Sequence, residues 1–315
     1  MAQPLFLKPV FQERIWGGTA LREEFGYEIP SDETGECWAI SGHSNGPSVV
    51  ENGPYAGKTL IELWNHHREL FGNMEGDVFP LLTKILDANA DLSVQVHPDD
   101  TYAKKHENGE LGKTECWYII DCKEDAEIIY GHHATTKEAF EELVEKGEWD
   151  TLLRRIPIEP GDFFYLPSGT IHALCEGTLV LETQQNSDTT YRVYDYDRKD
   201  QAGNKRDLHL EKALDVSTIP HQGIEIDMYH KTVANTEVTT FVEEKYFTVQ
   251  KWEVSGATQM ALEPPFLLGS VIAGKGTLTM DGVDYELEKG QHFILPNKTD
   301  EFSVDGACTL IVSHP

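Results

Sequence analysis

Positive charge is scarce in this 315-residue chain: 26 Lys and Arg stand against 54 Asp and Glu, for a net charge of −28. That balance excludes nucleic acid and anionic membranes as natural partners, because both need a basic face. No apolar run approaches the ~18 residues of a spanning helix. The opening segment MAQPLFLKPVFQERIWGG has neither an apolar signal core nor a small-residue cleavage site. Cysteine is sparse too, with five residues at 37, 116, 122, 175 and 308 and no CxxC pair. A reduced, cytoplasmic protein is the expectation.

What the chain does have is short strands punctuated by Gly, Pro, Asn and Asp: CWAIS, LSVQVH, ECWYIID, AEIIYG, DFFYLPSG, TLVLETQQ, FTVQKWEV, FLLGSVIAG and others. This spacing predicts a mainly β sandwich or closed barrel. Helical periodicity is confined to segments near 58–72, 100–112 and 135–155 and to DLHLEKALDV, with Thr135 and Glu138 as a candidate capping box. GDFFYLPSGTIH (161–172) aligns without gaps on GQHFILPNKTDE (290–301), sharing five of twelve positions. The echo suggests two barrels on one plan, divided as 1–235 and 236–315. Lys298 and Glu301 replace Gly169 and His172, so the second barrel is expected to be degenerate.

In LSVQVHPDD, strand alternation puts Leu92, Val94 and Val96 on one face and Ser93, Gln95 and His97 on the other. In GKTECWYIID, Lys113, Glu115 and Trp117 share a face. A carboxylate turned inward beside tryptophan is costly unless it is paired or bound to a metal. Gly161, Pro167, Gly169 and His172 form the pattern G-x5-P-x-G-x-x-H, a strand, a tight turn that needs glycine, and a histidine opening the next strand. The spacing resembles the second signature of the cupin superfamily, double-stranded β-helix (jelly-roll) barrels that hold a metal inside; the first signature is altered here, with Gln95 where a histidine is usual. Gln95, His97, Glu115 and His172 offer two imidazoles, one carboxylate and one amide oxygen. That donor set suits Zn2+ with open positions, and Fe2+ or Mn2+ equally. Lys84, Lys113, Arg192 and Arg198 lie beside these ligands in sequence, and Arg192 alternates in phase with Thr190, Tyr194 and Tyr196. Cations set against so acidic a background are suited to stabilising enediolate charge or binding phosphate.

Taken in order, QVHPDD, KTECWY, PSGTIHA and SDTTYRVYDY, with RIWGGTAL and PLLTKILDANADL before them, resemble the type I mannose-6-phosphate isomerases (phosphomannose isomerases) of the short bacterial kind. The likeness covers most of residues 14–216 and is weak beyond 230. It implies tandem cupin barrels with a small helical insertion and one zinc ion per chain. It further implies reversible conversion of mannose 6-phosphate to fructose 6-phosphate through an enediol. By resemblance the metal ligands fall on His97, Glu115 and His172, with Gln95 as a fourth. Arg192, Lys113 and Lys84 are then catalytic, and Ser93 and Arg198 meet the phosphate; the longer relatives carry lysine at the Arg198 position. A small-molecule sugar phosphate is the expected partner, and a monomer or weak homo-oligomer the expected state. The competing readings are a ferrous cupin dioxygenase, which has no use for the four cations, and a non-enzymatic sugar-binding cupin.

Overall fold

The computed structural model describes residues 3–199, 202–297, 299 and 301–315. Three antiparallel sheets carry the fold, and none closes on itself among the described residues. A six-stranded sheet runs in the spatial order Phe163–Leu166, Glu115–Cys122, Thr178–Gln185, Leu81–Ala88, Thr34–Ser41 and Val10–Gly18. A five-stranded sheet runs Tyr191–Tyr194, Val94–Val96, His172–Leu174, Glu127–His132 and Leu153–Pro157. Together these two form the N-terminal cupin jelly roll. The ten-stranded C-terminal sheet is dominated by the paired fourteen-residue strands Leu267–Met280 and Glu301–His314. A two-residue turn at Asp281 and Gly282, both at positive φ, joins Met280 to Val283, the geometry that matches the right-handed twist of a hairpin.

The central strands of the six-stranded sheet are buried on both faces, and alternation divides their side chains. Cys37, Ala39, Leu81, Ile85, Cys116, Tyr118, Leu179 and Leu181 point outward into a core that also contains Phe241, Phe247, Phe266, Ile294 and Ile311 of the C-terminal region. The second barrel thus buttresses the outer face of the sheet that carries the site. Chain connectivity crosses between the sheets. Strand Leu5–Lys8 pairs with His292–Leu295 (Leu5 opposite Ile294) and Val49–Val50 joins its other edge, so both belong to the C-terminal sheet. The hairpin of Tyr229–Val233 with Thr236–Glu243 straddles residue 235.

Several local expectations are corrected. Strand Val94–Val96 starts two residues late: Leu92 packs in a different core cluster from Val94 and Val96. The helix near 137 is capped by Thr136, whose hydroxyl accepts from the Ala139 amide, not by Thr135. The reciprocal capping box occurs at Thr59 and Glu62 instead. Helix Asp100–His106 covers only half of 100–112, and the 135–155 segment divides into helices Lys137–Lys146 and Trp149–Leu152 before strand Leu153–Pro157 begins. Helix Leu210–Val216 falls where expected. All five cysteines are free thiols. Of the two replacements in the internal echo, Glu301 opens an exposed strand end, while Lys298 lies outside the described residues.

Candidate active site

Two in-register rows face each other inside the N-terminal barrel. On the six-stranded sheet, Trp117, Glu182, Lys84 and Trp38 are cross-strand neighbours. On the five-stranded sheet, Arg192, Gln95 and His172 are neighbours, with His97 just beyond the strand end. Gly169 makes the approach possible. It sits at φ +88°, donates its amide to the His97 carbonyl, and a Cβ there would lie 2.6 Å from Thr218 Oγ1.

At the base of the barrel His97, Glu115 and His172 converge, all essentially excluded from solvent, with donor atoms within 4.8 Å of one another. Glu115 places Oε2 3.5 Å from His97 Nε2 and Oε1 3.2 Å from His172 Nε2. Each imidazole is oriented from behind: His97 Nδ1 donates to the Thr189 carbonyl at 2.8 Å and His172 Nδ1 to the Thr170 carbonyl at 2.9 Å. With Nδ1 protonated, both Nε2 lone pairs aim at the carboxylate. The result is a cluster of acceptors in which Lys113, 3.2 Å from Glu115 Oε2, is the nearby cation and His97 Nε2 has no hydrogen-bond partner among the described residues. Acceptors facing acceptors in a dry interior are costly as they stand and are satisfied by a cation. The donor set therefore fits a divalent metal, and the second-sphere carbonyls are those a metal-bound histidine requires. Gln95 adjoins it, its carboxamide 3.4 Å from His172 Nε2.

Electrostatics keeps these groups in the required protonation states. Burial, aided by the Lys113 charge, pushes His97 well below the usual imidazole range, so it is neutral. Burial alone would raise Glu115, but the Lys113 ammonium at 3.2 Å outweighs it and holds the carboxyl well below the carboxylate range. Burial likewise opposes charge on Lys113, and Glu115, Glu182 and Asp188 outweigh it, keeping the ammonium charged. Glu182 is raised, first by burial and then by the Glu115 charge.

Above this cluster opens a cavity of about 530 Å³, walled in part by Trp16, Ser93, Gln95, Lys113, Glu182 and Arg192. Five cations reach it, namely Arg14, Lys84, Lys113, Arg192 and Arg206. Four carboxylates, Glu13, Glu36, Glu182 and Asp188, share these walls, so in a chain of −28 the cavity lining has one cation more than it has acids. Lys84 is held between Glu36 (4.0 Å) and Glu182 (3.7 Å), with its ammonium 4.9 Å from the centre of the Trp38 ring. Arg14 grips Glu36 through Nε and Nη2, both at 3.0 Å.

Of the residues expected from sequence, Lys84, Ser93, Gln95, Lys113 and Arg192 line the cavity, while His97, Glu115 and His172 lie behind that lining, in reach of Gln95 and Lys113. Arg198 is not brought in: it is bound to Asp195 and to the Asp91 carbonyl. Tyr194 also leaves the Arg192 face, because the register shifts between them and Tyr194 stacks on Trp149 instead. Arg14, Glu36, Glu182 and Arg206 escaped the sequence reading. Glu36 and Glu182 were visible only as lone acids in apolar strands, the same pattern that marked Glu115.

A jelly roll enclosing two imidazoles and a carboxylate beneath a cationic cavity defines a cupin with a candidate metal centre. Comparison with known proteins narrows the class. Residues 5–146 match the phosphomannose isomerase type I catalytic domain, and residues 237–315 match the mannose-6-phosphate isomerase cupin domain. The chain is 60% identical to mannose-6-phosphate isomerase ManA of Bacillus subtilis over 99% of both chains, and 55% identical to the mannose-6-phosphate isomerase of Streptococcus mutans over 100% of this chain and 99% of that one. The crystal structure of the mannose 6-phosphate isomerase from Bacillus subtilis superposes with a TM-score of 0.98 at 59% identity, covering 100% of both chains. The chain belongs to the type I phosphomannose isomerases, a family of aldose–ketose isomerases.

Proposed function

We propose that the protein interconverts mannose 6-phosphate and fructose 6-phosphate through an enediol, with one zinc ion held by His97, Glu115 and His172 and with Gln95 as a fourth ligand. The observation that carries this reading is the meeting of two imidazoles and a buried carboxylate, their donor atoms within 4.8 Å of one another, next to a cavity into which Arg192 and Lys113 reach. When bound, zinc supplies Lewis-acid polarisation of the sugar carbonyl.

The chain's own residues do the rest. Moving a proton between C2 and C1 builds negative charge on the adjoining oxygens, and donors already aimed at that position lower the barrier without reorganisation. Arg192 is suited to this role. It faces the cavity beside Gln95, and among the described residues its side chain makes no hydrogen bond or ion pair, with Nε buried and unpartnered. Lys113 keeps Glu115 ionised and adds a second positive charge at the floor. Lys84, fixed between Glu36 and Glu182, presents a charge-balanced polar wall to the sugar hydroxyls. Trp16 and Trp117 supply apolar walls that exclude water. The same cations favour a phosphosugar over the substrates of a dioxygenase, which would leave them unused.

The test is a coupled isomerase assay of purified protein with mannose 6-phosphate, run with and without oxygen and after metal removal. Turnover that is independent of oxygen and lost with the metal is expected. An absolute oxygen requirement, or phosphosugar binding without turnover, refutes the isomerase reading.

A further inference from the structure

Resting on the phosphosugar reading, we infer that Arg206, not Arg198, receives the substrate's phosphate. The inference comes from counting which guanidinium nitrogens remain free. Arg198 has a partner on all three, Nε and Nη2 on the Asp195 carbonyl and carboxylate and Nη1 on the Asp91 carbonyl, which leaves one N–H on each Nη and no wholly free nitrogen. Its plane also lies over the Tyr196 ring, 5.1 Å from the ring centre, and it does not line the cavity. Arg14 likewise has no wholly free nitrogen, with Nε and Nη2 on Glu36 and Nη1 on the Glu13 carbonyl. Arg206 differs. It grips both Asp195 oxygens along one edge, through Nε at 2.8 Å and Nη2 at 2.5 Å, and Nη1 has no partner among the described residues. That anchored edge fixes the guanidinium plane, so a phosphate meets a preorganised donor and loses little side-chain entropy on binding.

Position supports the same assignment. Arg206 lies near enough to Arg192 for the two charges to repel, and Arg192 stands opposite Gln95 beside the metal floor. Two arginines with free donors and mutual repulsion call for a dianion between or beside them, while Asp195 is already neutralised by two cations. Arg198 becomes a positioning residue that steadies Asp195, and Asp195 in turn aims Arg206.

The probe is sorbitol 6-phosphate, which carries the phosphate but no carbonyl to isomerise, titrated by calorimetry into wild type, R206A, R206K and R198A. R206A is expected to weaken binding about tenfold or more, the usual worth of a charge-assisted phosphate contact. R206K should recover part of that loss, and R206A should raise KM for mannose 6-phosphate in step while kcat stays within about threefold. A larger loss in R198A than in R206A, or unchanged affinity in R206A, overturns the assignment. If wild type binds the probe through Arg206 yet does not isomerise mannose 6-phosphate, the phosphate assignment stands and the isomerase reading falls. If it isomerises but R206A binds normally, only the assignment falls.

Discussion

Replacing Glu36 with glutamine removes the anion that Arg14 and Lys84 share while keeping the side chain's shape. Glu36 is 9% exposed; burial alone would raise its carboxyl, but Lys84, then Arg14 and a 2.6 Å hydrogen bond from the Trp38 indole lower it to about 2. A carboxyl that titrates at about 2 rather than its ordinary 4.5 contributes about 3 kcal/mol to stability at neutral pH. Because the folded value lies below the unfolded one, that contribution is complete above about pH 5 and disappears as the pH falls through about 2. Breaking such a buried pair also leaves Lys84 with Glu182 as its sole carboxylate partner, a penalty in the same range. Urea unfolding of the metal-free protein is the assay. E36Q should be about 3 kcal/mol less stable than wild type at pH 7, about 2 kcal/mol less at pH 3.5, and converge with it near pH 2. A pH-independent difference, or one below about 0.5 kcal/mol at pH 7, would refute the idea that this charge network stabilises the site wall.

Further outcomes follow from the same geometry. H172A should bind less than one-tenth of the wild-type zinc and lose isomerase activity while retaining its β-rich circular dichroism; stoichiometric metal with normal turnover would remove His172 from the ligand set. R192A should keep its metal and lower kcat by about 100-fold or more, the usual cost of one oxyanion donor. A change confined to KM would make Arg192 a binding residue. G169A forces a left-handed residue against Thr218 and the Val216 carbonyl, so chemical denaturation should show a loss of about 1–3 kcal/mol; an unchanged midpoint would mean the turn relaxes freely.

The floor of the site was readable in the sequence because period-two alternation is a local rule. His97, Glu115 and His172 each sit at or next to a strand end whose apolar neighbours fix which way the polar residue turns. Nonlocal pairing was not readable. Nothing in PLFLK indicates that it completes a sheet some 290 residues further on, opposite Ile294. Glu182 and Glu36 become part of the site only through their neighbours Lys84 and Arg14 on other strands. The placement of Arg198 outside the cavity lining and of Arg206 within it is of the same kind. Both lie on the segment after Tyr194 and both bind Asp195, and only Arg198 is also tied to the Asp91 carbonyl. A bulge between Arg192 and Tyr194 breaks the alternation that would have kept Tyr194 in the cavity.

The measurement closest to the centre of this account is zinc stoichiometry followed alongside isomerase rate. Protein stripped by chelator and titrated with zinc should bind one ion per chain, with mannose 6-phosphate turnover rising in proportion and saturating at that point. Full activity in protein shown by elemental analysis to be metal-free would contradict it.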